Sequence, residues 1–391
     1  MPAQKVELPE KWVTPEMIRW TREQVGLDVE QAAGLVKDLS AEKIHAWEAG
    51  EESPTLQDLE SLAEIYDCPV GYFFLESAPP QEAPRLDYRG MSPEKLRHLS
   101  YESRRRLRQF IRLVDFASSL ISLLGLDWKV SVSTESLEKP AGEIAARVVK
   151  HLDVTAEALS ELSTDEEAFN LWRTKIEEQG VLVFSLRLDP GELRGASLWD
   201  YPKPPAILVN HADVESASGR TFTLLHEYAH LLVKQPGIVC DFRGHSDIGR
   251  VERFANQFAA EALVPRALFE DLLNREGLNS YREQWGNTVV DKLRKPFHSS
   301  HDVIRVLLEE LSYAPEGPYR KWRSSRDKDK PWGRGRSGGQ SKAVRRRREF
   351  GTNFSRLLAH ANQRSIVSKL DLADILDMKV EQAETFLESF R

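Results

Sequence analysis

Hydrophobic positions divide the chain into stretches of helical and of strand-like pattern. Residues 14–76 hold short segments with apolar residues at every third or fourth position, as in TLQDLESLAEIY, which is typical of short helices. The continuous apolar run GVLVFSLRL (180–188) predicts a buried strand, with GASLWD (195–200) and PAILVN (205–210) as its neighbours. Helical spacing returns after these segments. The pattern therefore predicts a multidomain, mainly α protein with one small sheet.

Turn and capping signals break residues 14–76 into several short helices. Asp28 and Gln31 have the spacing of a capping box, Ser40 can cap the next helix, and Gly50 can end it. Short helices joined by tight turns are typical of a helix-turn-helix module. We therefore predict an all-α helix-turn-helix bundle over residues 13–76, with Trp47 in its core rather than in contact with DNA bases.

Composition suggests the remaining domain borders. Residues 77–91 are rich in proline, lack a periodic apolar face and predict a linker. Residues 92–312 are predicted to form one domain that begins with a long helix, whose arginine-rich side faces solvent. Residues 313–349 are rich in glycine, proline and arginine and predict a basic flexible linker. Residues 350–391 are predicted to form a C-terminal helical segment.

The overall composition is that of a soluble globular protein. Its 391 residues suggest more than one domain, and 41% hydrophobic with 29% charged residues is ordinary for such proteins. No apolar run has the length of a membrane span, and the N-terminus lacks the pattern of a secretion signal. The two cysteines, Cys68 and Cys240, cannot form a disulfide framework or a four-cysteine zinc site. We therefore expect a cytoplasmic protein with no membrane partner.

The stretch TLLHEYAHLLV (223–233) carries the strongest candidate chemistry. His226 and His230 are four residues apart, so on a helix both imidazoles project from one face and can bind the same metal ion. Zinc bound there would lower the pKa of a water molecule to about 7, and Glu227 could then take its proton. The alternative is a core helix with ordinary buried histidines. Burying these three polar groups among leucines would be costly without a cation, which favours the zinc site.

A catalytic zinc needs a third protein ligand and one open position. The downstream residues that could supply it are Cys240, Asp241, His245, Asp247, Glu252 and Glu261. We favour Glu252, because it lies in a second predicted helix, about 249–262, where small alanines allow a close approach and the helix presents the side chain rigidly. The alternative ligand is His245, in the loop before that helix. Glu252 could instead be a surface glutamate that pairs with Arg250 or Arg253.

Charge is unevenly distributed along a chain of net charge −7. Residues 13–76 carry 4 basic and 14 acidic side chains, whereas residues 320–349 carry 13 basic and 3 acidic ones. A DNA reader places Lys and Arg against phosphates, but the predicted recognition helix offers only Ser40, Lys43 and His45 as DNA contacts. The alternative for this module is recognition of another protein or self-association. For the basic stretch we favour a solvated linker over contact with nucleic acid.

Three consecutive segments resemble the ImmA/IrrE family of bacterial and phage metallopeptidases: ILVN, TFTLLHEYAHLL and VERFANQFAAEALVP. The segments WTREQVGLDVEQAAGLV and IHAWEAGEESPTLQDLESLAEIYDCPVGYFFL resemble an Xre-type helix-turn-helix, so the likeness to the long form of the family covers nearly the whole chain. The resemblance implies an α+β zincin-like peptidase domain with a small sheet. It also implies a bound Zn²⁺ with His226, His230 and Glu252 as ligands and Glu227 as the catalytic base.

A function follows from this resemblance. It implies a zinc endopeptidase that cuts a protein substrate, such as a DNA-binding repressor or an antitoxin-like protein, under the control of its helix-turn-helix module. We expect the substrate to lie as an added strand beside residues 205–210. The alternative is a DNA-binding transcription regulator or antitoxin-like protein, with a toxin as partner, in which the peptidase fold senses or scaffolds. A third hypothesis is a metal-free interaction module.

Overall fold

The computed structural model describes residues 12–78, 99–212, 216–233, 249–315, 317 and 341–388, together with the backbone of residues 239–240. These residues fall into two compact units: the N-terminal unit ends at Gln109, and the C-terminal unit begins at Phe110. Most of the predicted linker 77–91 and of the predicted linker 313–349 lies outside the described residues. The domain borders expected from the sequence therefore stay predictions.

Four short helices and a 3₁₀ helix follow one another in the N-terminal unit. They are α1 (Pro15–Gln24), α2 (Val29–Leu35), α3 (Ala41–Ala49), α4 (Leu56–Tyr66) and the 3₁₀ helix Val70–Phe74. The capping box of Asp28 with Gln31 and the cap at Ser40 are both formed, and Gly50 ends α3 in the left-handed conformation. The local signals in the sequence thus determine where these helices begin and end.

A buried ion pair joins α1 to α3. Arg22 donates hydrogen bonds of 2.6 and 2.8 Å to the two carboxylate oxygens of Glu48, and a third of 2.8 Å to the carbonyl oxygen of Leu27. The hydrogen bonding to Glu48 is the main cause that raises the pKa of the Arg22 guanidinium. Trp47, next to Glu48, is buried, which confirms its predicted place in the core.

The C-terminal unit is mainly helical. Helix α5 (Tyr101–Leu123) begins in the N-terminal unit and continues into this one. The helices that follow are α6 (Ala141–His151), α7 (Ala156–Ser160), α8 (Asp165–Glu177), α9 (Ala217–Leu232), α10 (Arg250–Leu263), α11 (Arg266–Arg275), α12 (Asn287–Arg294), the 3₁₀ helix Lys295–Phe297, α13 (His301–Glu310), α14 (Lys342–Gln363), α15 (Lys369–Ile375) and α16 (Val380–Glu388). Within the described ranges, none of the helices is both long enough and apolar enough to span a bilayer.

One four-stranded sheet accompanies these helices, in the order β1-β3-β2-β4. Its strands are β1 (Leu182–Leu186), β2 (Gly195–Leu198), β3 (Ala206–Asn210) and β4 (Val239–Cys240). The small sheet, the helix-turn-helix region and the C-terminal helices confirm the predicted mainly helical fold class.

The order of the strands corrects one expectation. β3 pairs in parallel with β1 on one side and antiparallel with β2 on the other. Both edges of β3 are therefore occupied, and the prediction of a substrate strand beside residues 205–210 is wrong. The apolar pattern identified each strand, but it contains no information on which strand becomes central.

Helix α14 packs against β1 through aromatic rings. Phe184 of β1 lies between Phe110 of α5 and the pair Phe350 and Phe354 of α14, with ring centroids 5.7, 6.4 and 5.3 Å away, respectively. Gly351 interrupts α14 with a φ of 73°. A Cβ atom at Gly351 would collide with the backbone of β1, so only glycine allows this approach.

Candidate metal centre

Helix α9 carries both histidines of the motif into the interior. It begins after Ser216, whose side chain accepts a hydrogen bond from the backbone N–H of Gly219. His226 and His230 lie one helical turn apart and are fully buried, and their Nε2 atoms are 3.2 Å from each other. The flanking residue Leu231 is equally buried. Two imidazole nitrogens thus face one point inside an apolar environment.

Helix α10 brings a carboxylate to the same point. Glu252, in the first turn of α10, has Oε2 3.4 Å from Nε2 of His226 and Oε1 3.5 Å from Nε2 of His230. Ala255 and Ala259, on the same side of α10, are buried, which is consistent with a close approach of the two helices. The Glu252 side chain is 26% exposed, whereas both histidine side chains are 0% exposed. The cluster is therefore closed towards the core and accessible from the side of Glu252.

The spacing of these three atoms fits a tetrahedral zinc ion. Zn–N bonds of about 2.0–2.1 Å place adjacent ligand atoms of a tetrahedron about 3.4 Å apart. The separations in this cluster are 3.2, 3.4 and 3.5 Å, and the three side chains form a group that could hold a metal ion. Three protein ligands leave a fourth position for water or substrate, which is the arrangement of catalytic rather than structural zinc sites.

Burial keeps the His230 ring in the form that binds metals. Desolvation, followed by the proximity of His226, lowers the pKa of His230 to about 3, against an opposing effect of Glu252. A ring with this pKa is neutral at pH 7. A metal ion therefore does not have to displace a proton from His230 at neutral pH.

Glu227 belongs to α9, and its side chain lies against β2 of the sheet. Its side chain is fully buried. A Cβ atom built on Gly195 of β2 would lie 2.8 Å from Oε1 of Glu227 and 2.8 Å from Cγ2 of Thr223. Since real Cβ atoms do not approach so closely, a glycine is needed where β2 meets α9. The carboxylate of Glu227 thus has a defined place beside the cluster, one residue after His226.

The side chain of Asn210 holds the loop that precedes Gly195. Its Oδ1 atom accepts hydrogen bonds of 3.1 and 2.9 Å from the backbone N–H groups of Leu188 and Ala212. Its Nδ2 atom donates a bond of 2.7 Å to the carbonyl oxygen of Leu193. The fully buried Asn210 therefore ties the loop before Gly195 to the end of β3.

Sequence reasoning assigned no role to Gly195 or to the side chain of Asn210. A signal exists in both cases. A glycine that opens an apolar strand indicates a close backbone approach, and a polar residue that ends one indicates local hydrogen bonding to a turn. Neither signal says which residues are approached, because the partners are remote in sequence.

Of the other candidates for the third ligand, only Glu261 has a side chain within the described residues. Glu261 forms an ion pair of 2.7 Å with Arg266. Outside the described residues lie Asp241, His245 and Asp247, and only the backbone of Cys240 is described. Arg250, considered as a surface partner of Glu252, instead pairs with Glu138 at 2.9 Å. The assignment of Glu252 as third ligand is therefore a proposal that the distances support.

The predicted DNA contacts are exposed on or beside α3. Ser40 caps the helix by accepting a hydrogen bond of 3.4 Å from the backbone N–H of Lys43, and both Lys43 and His45 face solvent. Glu42 is exposed beside them, and hydrogen bonds from its own backbone N–H and from Ser40 lower the pKa of its carboxyl group. A negative charge is thus fixed at the start of the helix that would face DNA.

Comparison with known families gives two matches in this chain. Residues 176–304 match the IrrE N-terminal-like domain of the Peptidase M78 family, and residues 16–71 match a helix-turn-helix domain. No curated protein and no solved structure matches the chain. The two matches confirm the predicted resemblance, in which a helix-turn-helix domain precedes a peptidase domain. They support a fused peptidase and regulator, and the helix-turn-helix domain suggests DNA binding.

Proposed function

We propose that this chain is a zinc-dependent endopeptidase that hydrolyses a peptide bond of a protein substrate and is regulated through its helix-turn-helix domain. The observation that supports this most is the cluster of His226, His230 and Glu252, whose ligand atoms lie 3.2, 3.4 and 3.5 Å apart. These side chains would hold Zn²⁺, which supplies the Lewis acidity that allows water to attack a carbonyl group at neutral pH.

Glu227 is the proposed general base and acid. Its carboxylate takes the proton of the attacking water as the new C–O bond forms, and it gives that proton to the leaving nitrogen as the C–N bond breaks. The contact of Gly195 with Glu227 positions this carboxylate. Burial on α9 shields it from bulk water, so its orientation does not depend on solvent.

The substrate class proposed for this site is a DNA-binding repressor or an antitoxin-like protein in the cytoplasm. The proposal combines the peptidase match of residues 176–304 with the helix-turn-helix match of residues 16–71. A helix-turn-helix domain on the enzyme would allow cleavage to respond to DNA, to the repressor itself or to a second copy of the chain.

A substitution of Glu227 by Gln tests the chemistry. Cleavage of a denatured-protein peptide library, followed by mass spectrometry, should fall by about 10²–10⁴-fold in Glu227→Gln, because the amide cannot accept the proton. Zinc content should remain near one ion per chain, since Glu227 is not in the ligand cluster. The matched control is Glu270→Gln, which neutralises an exposed glutamate on α11 and should retain full cleavage.

Two results would contradict the proposal. Undiminished cleavage by Glu227→Gln would remove this residue from the mechanism. If the wild-type protein binds no zinc after incubation with the ion, the metal assignment is wrong. The remaining hypothesis is then a metal-free interaction module.

A DNA-binding regulator or antitoxin-like protein is the second candidate, because residues 16–71 match a helix-turn-helix domain. In this case the peptidase fold senses or scaffolds, and His226→Ala should leave DNA binding unchanged while it abolishes zinc binding. A toxin partner stays a prediction from the family resemblance alone.

A further inference from the structure

We infer that the first half of α14 is a binding surface for the phosphate backbone of nucleic acid. We call this surface the α14 basic face and define it as the exposed side chains of Arg345, Arg347 and Arg348. The inference does not depend on the zinc chemistry, because none of these residues belongs to the metal cluster or to the elements that carry it.

The arginines share one side of the helix. Successive residues of an α-helix are about 100° apart, so residues 344, 345, 347 and 348 occupy one continuous arc of α14. All four of these residues are exposed, whereas Ala343, Arg346 and Phe350 on the opposite arc are buried. Arg348 lies between Arg347 and Arg345 on this arc of about 160°, so the three side chains spread over the exposed half of the helix.

The buried side of α14 fixes this surface in place. Arg346 forms ion pairs with Glu349 and with Asp377, so it is used for folding. The buried Arg173 of α8 donates a hydrogen bond to the backbone carbonyl oxygen of Arg348. The α14 basic face is thus attached to the core of the C-terminal unit through its own backbone, while the side chain of Arg348 is exposed.

Glu177 provides a second anchor directly after the face. Its Oε1 atom accepts a hydrogen bond of 2.9 Å from the backbone N–H of Thr352, and its carbonyl oxygen accepts one of 2.6 Å from Nδ2 of Asn353. With Gly351 pressed against β1, the turn that follows the arginines is fixed by buried groups. Side chains on a rigid helix lose less entropy on binding than those on a flexible segment.

Charge and residue type favour phosphate as the ligand. Residues 342–348 contain five basic side chains and no acidic one, and four of the five are arginine. The planar guanidinium group matches phosphate oxygens better than an ammonium group, and it stays charged at any physiological pH. Nε of Arg345 lies 3.9 Å from Oε1 of Glu349. This ion pair is long and weak, so a phosphate group can replace Glu349 as the partner of Arg345.

The N-terminal unit offers a contrasting surface. Its predicted recognition helix presents only Lys43 and His45 beside the ionised Glu42, and residues 13–76 carry 14 acidic side chains against 4 basic ones. Such a surface repels a polyanion. If the chain binds nucleic acid, the α14 basic face has the suitable charge and α3 does not.

The test measures binding of the zinc-loaded full chain to a fluorescein-labelled 30-base-pair duplex of random sequence, by anisotropy between 50 and 300 mM KCl. The test variant is Arg345→Gln/Arg347→Gln/Arg348→Gln. Each lost phosphate contact lowers the slope of log K against log salt by about 0.9, so the variant should lose about 2–3 units of slope and bind at least about tenfold more weakly at 100 mM.

Two control variants separate a defined surface from net charge. Lys150→Gln/Arg275→Gln/Lys295→Gln removes three exposed positive charges elsewhere in the C-terminal unit and should change affinity by less than about threefold. Ser40→Ala/Lys43→Ala/His45→Ala should have an equally small effect. Zinc content of all variants should equal that of the wild type, because none of the substituted residues belongs to the cluster of His226, His230 and Glu252, and circular dichroism checks that each variant is folded.

Several outcomes would overturn the inference. The first is a wild-type protein without salt-dependent binding. The second is a test variant that binds like the wild type, or that loses no more affinity than the charge control. The third is loss of binding in the α3 variant alone, which would assign DNA contact to the helix-turn-helix. If polyglutamate displaces the labelled duplex as well as unlabelled DNA does at the same concentration of negative charge, the partner is an acidic protein instead.

Discussion

Helix α3 and the helix pair α9–α10 show two different relations between a motif and its chemistry. In α9–α10, the side chains that the motif names are buried or half-buried and converge to separations of 3.2, 3.4 and 3.5 Å. In α3, the named side chains Ser40, Lys43 and His45 are exposed beside an ionised Glu42. Both motifs correspond to well-formed helices. The difference teaches that a motif predicts the backbone more securely than it predicts the ligand.

The same difference is visible in how each region uses buried charge. In the N-terminal unit, Arg22 and Glu48 form an ion pair with two hydrogen bonds, so their charges neutralise each other and stabilise the fold. In the metal cluster, a carboxylate meets two imidazoles, and the lowered pKa of His230 keeps that ring neutral at pH 7. A cation from solution would complete this second arrangement, whereas the first is complete in itself.

Removal of a metal ligand should have the largest effect. In His230→Ala, one of the three proposed ligands is lost, and the affinity for zinc should fall by more than about 100-fold, because loss of even an outer hydrogen-bonding partner of a ligand costs about 10–100-fold. Elemental analysis after dialysis against a chelator should give a ratio near zero, compared with near one for the wild type.

The matched control for this experiment is the α3 variant Ser40→Ala/Lys43→Ala/His45→Ala, which should keep a full zinc content. If His230→Ala also kept its zinc, the ion would have to bind elsewhere, and the contrast between the two regions would disappear.

Loss of Glu48 should have the next largest effect, and it should be confined to the N-terminal unit. Glu48→Ala leaves the buried Arg22 without a counter-charge, which should destabilise this unit by about 3–5 kcal/mol. Hydrogen exchange should therefore become faster for the amides of α1 and α3, while the amides of α9 and the zinc content remain unchanged.

The double variant Arg22→Met/Glu48→Leu is the control, because it removes both charges and keeps a similar volume. It should restore most of the protection, since a buried pair can be replaced by apolar side chains at little cost. Unchanged exchange in Glu48→Ala would show that the pair does not stabilise the unit.

A methyl group at Gly195 should have the smallest effect of the three. The Cβ atom of Gly195→Ala would lie 2.8 Å from Oε1 of Glu227, so β2 or the carboxylate must move. Overpacking of this kind costs about 1–3 kcal/mol, and displacement of Glu227, the proposed base, should lower kcat by about tenfold or more with little change in KM. Kinetics on one identified peptide substrate would measure this, with zinc content unchanged.

Gly286→Ala is the matched control, because a Cβ atom at that glycine meets no atom within 4 Å. Full activity of Gly195→Ala would mean that the proximity of β2 to Glu227 has no catalytic consequence. Equal losses in both variants would indicate a general effect of the substitution on the fold.

The predictability of the site differs between its parts. His226, Glu227 and His230 could be recognised from the sequence, because a helix converts a spacing of four residues into proximity. Glu252 could only be favoured over other candidates, because its distance to the histidines depends on how α10 packs on α9. Gly195 and Asn210 were missed as positioning residues, since their partners belong to other strands and loops.

The predictability of the fold follows the same division. The helices of the N-terminal unit and the three main strands were predicted with their approximate limits. The central position of β3 was not, and neither was the anchoring of α14 by Arg173 and Glu177. Strand order and buried hydrogen bonds between distant helices depend on contacts that leave no periodic signal in the chain.

The sequence by itself determined the elements and the identity of the groups that can act as ligand or base, because caps, apolar periodicity and the i, i+4 spacing are local properties of a polypeptide. The tertiary structure alone decided which carboxylate reaches the two imidazoles and where the sheet approaches Glu227. It also decided that Arg345, Arg347 and Arg348 of α14 are exposed while Arg346 is buried. These features depend on distances between remote segments, and only the packing of the whole unit sets such distances.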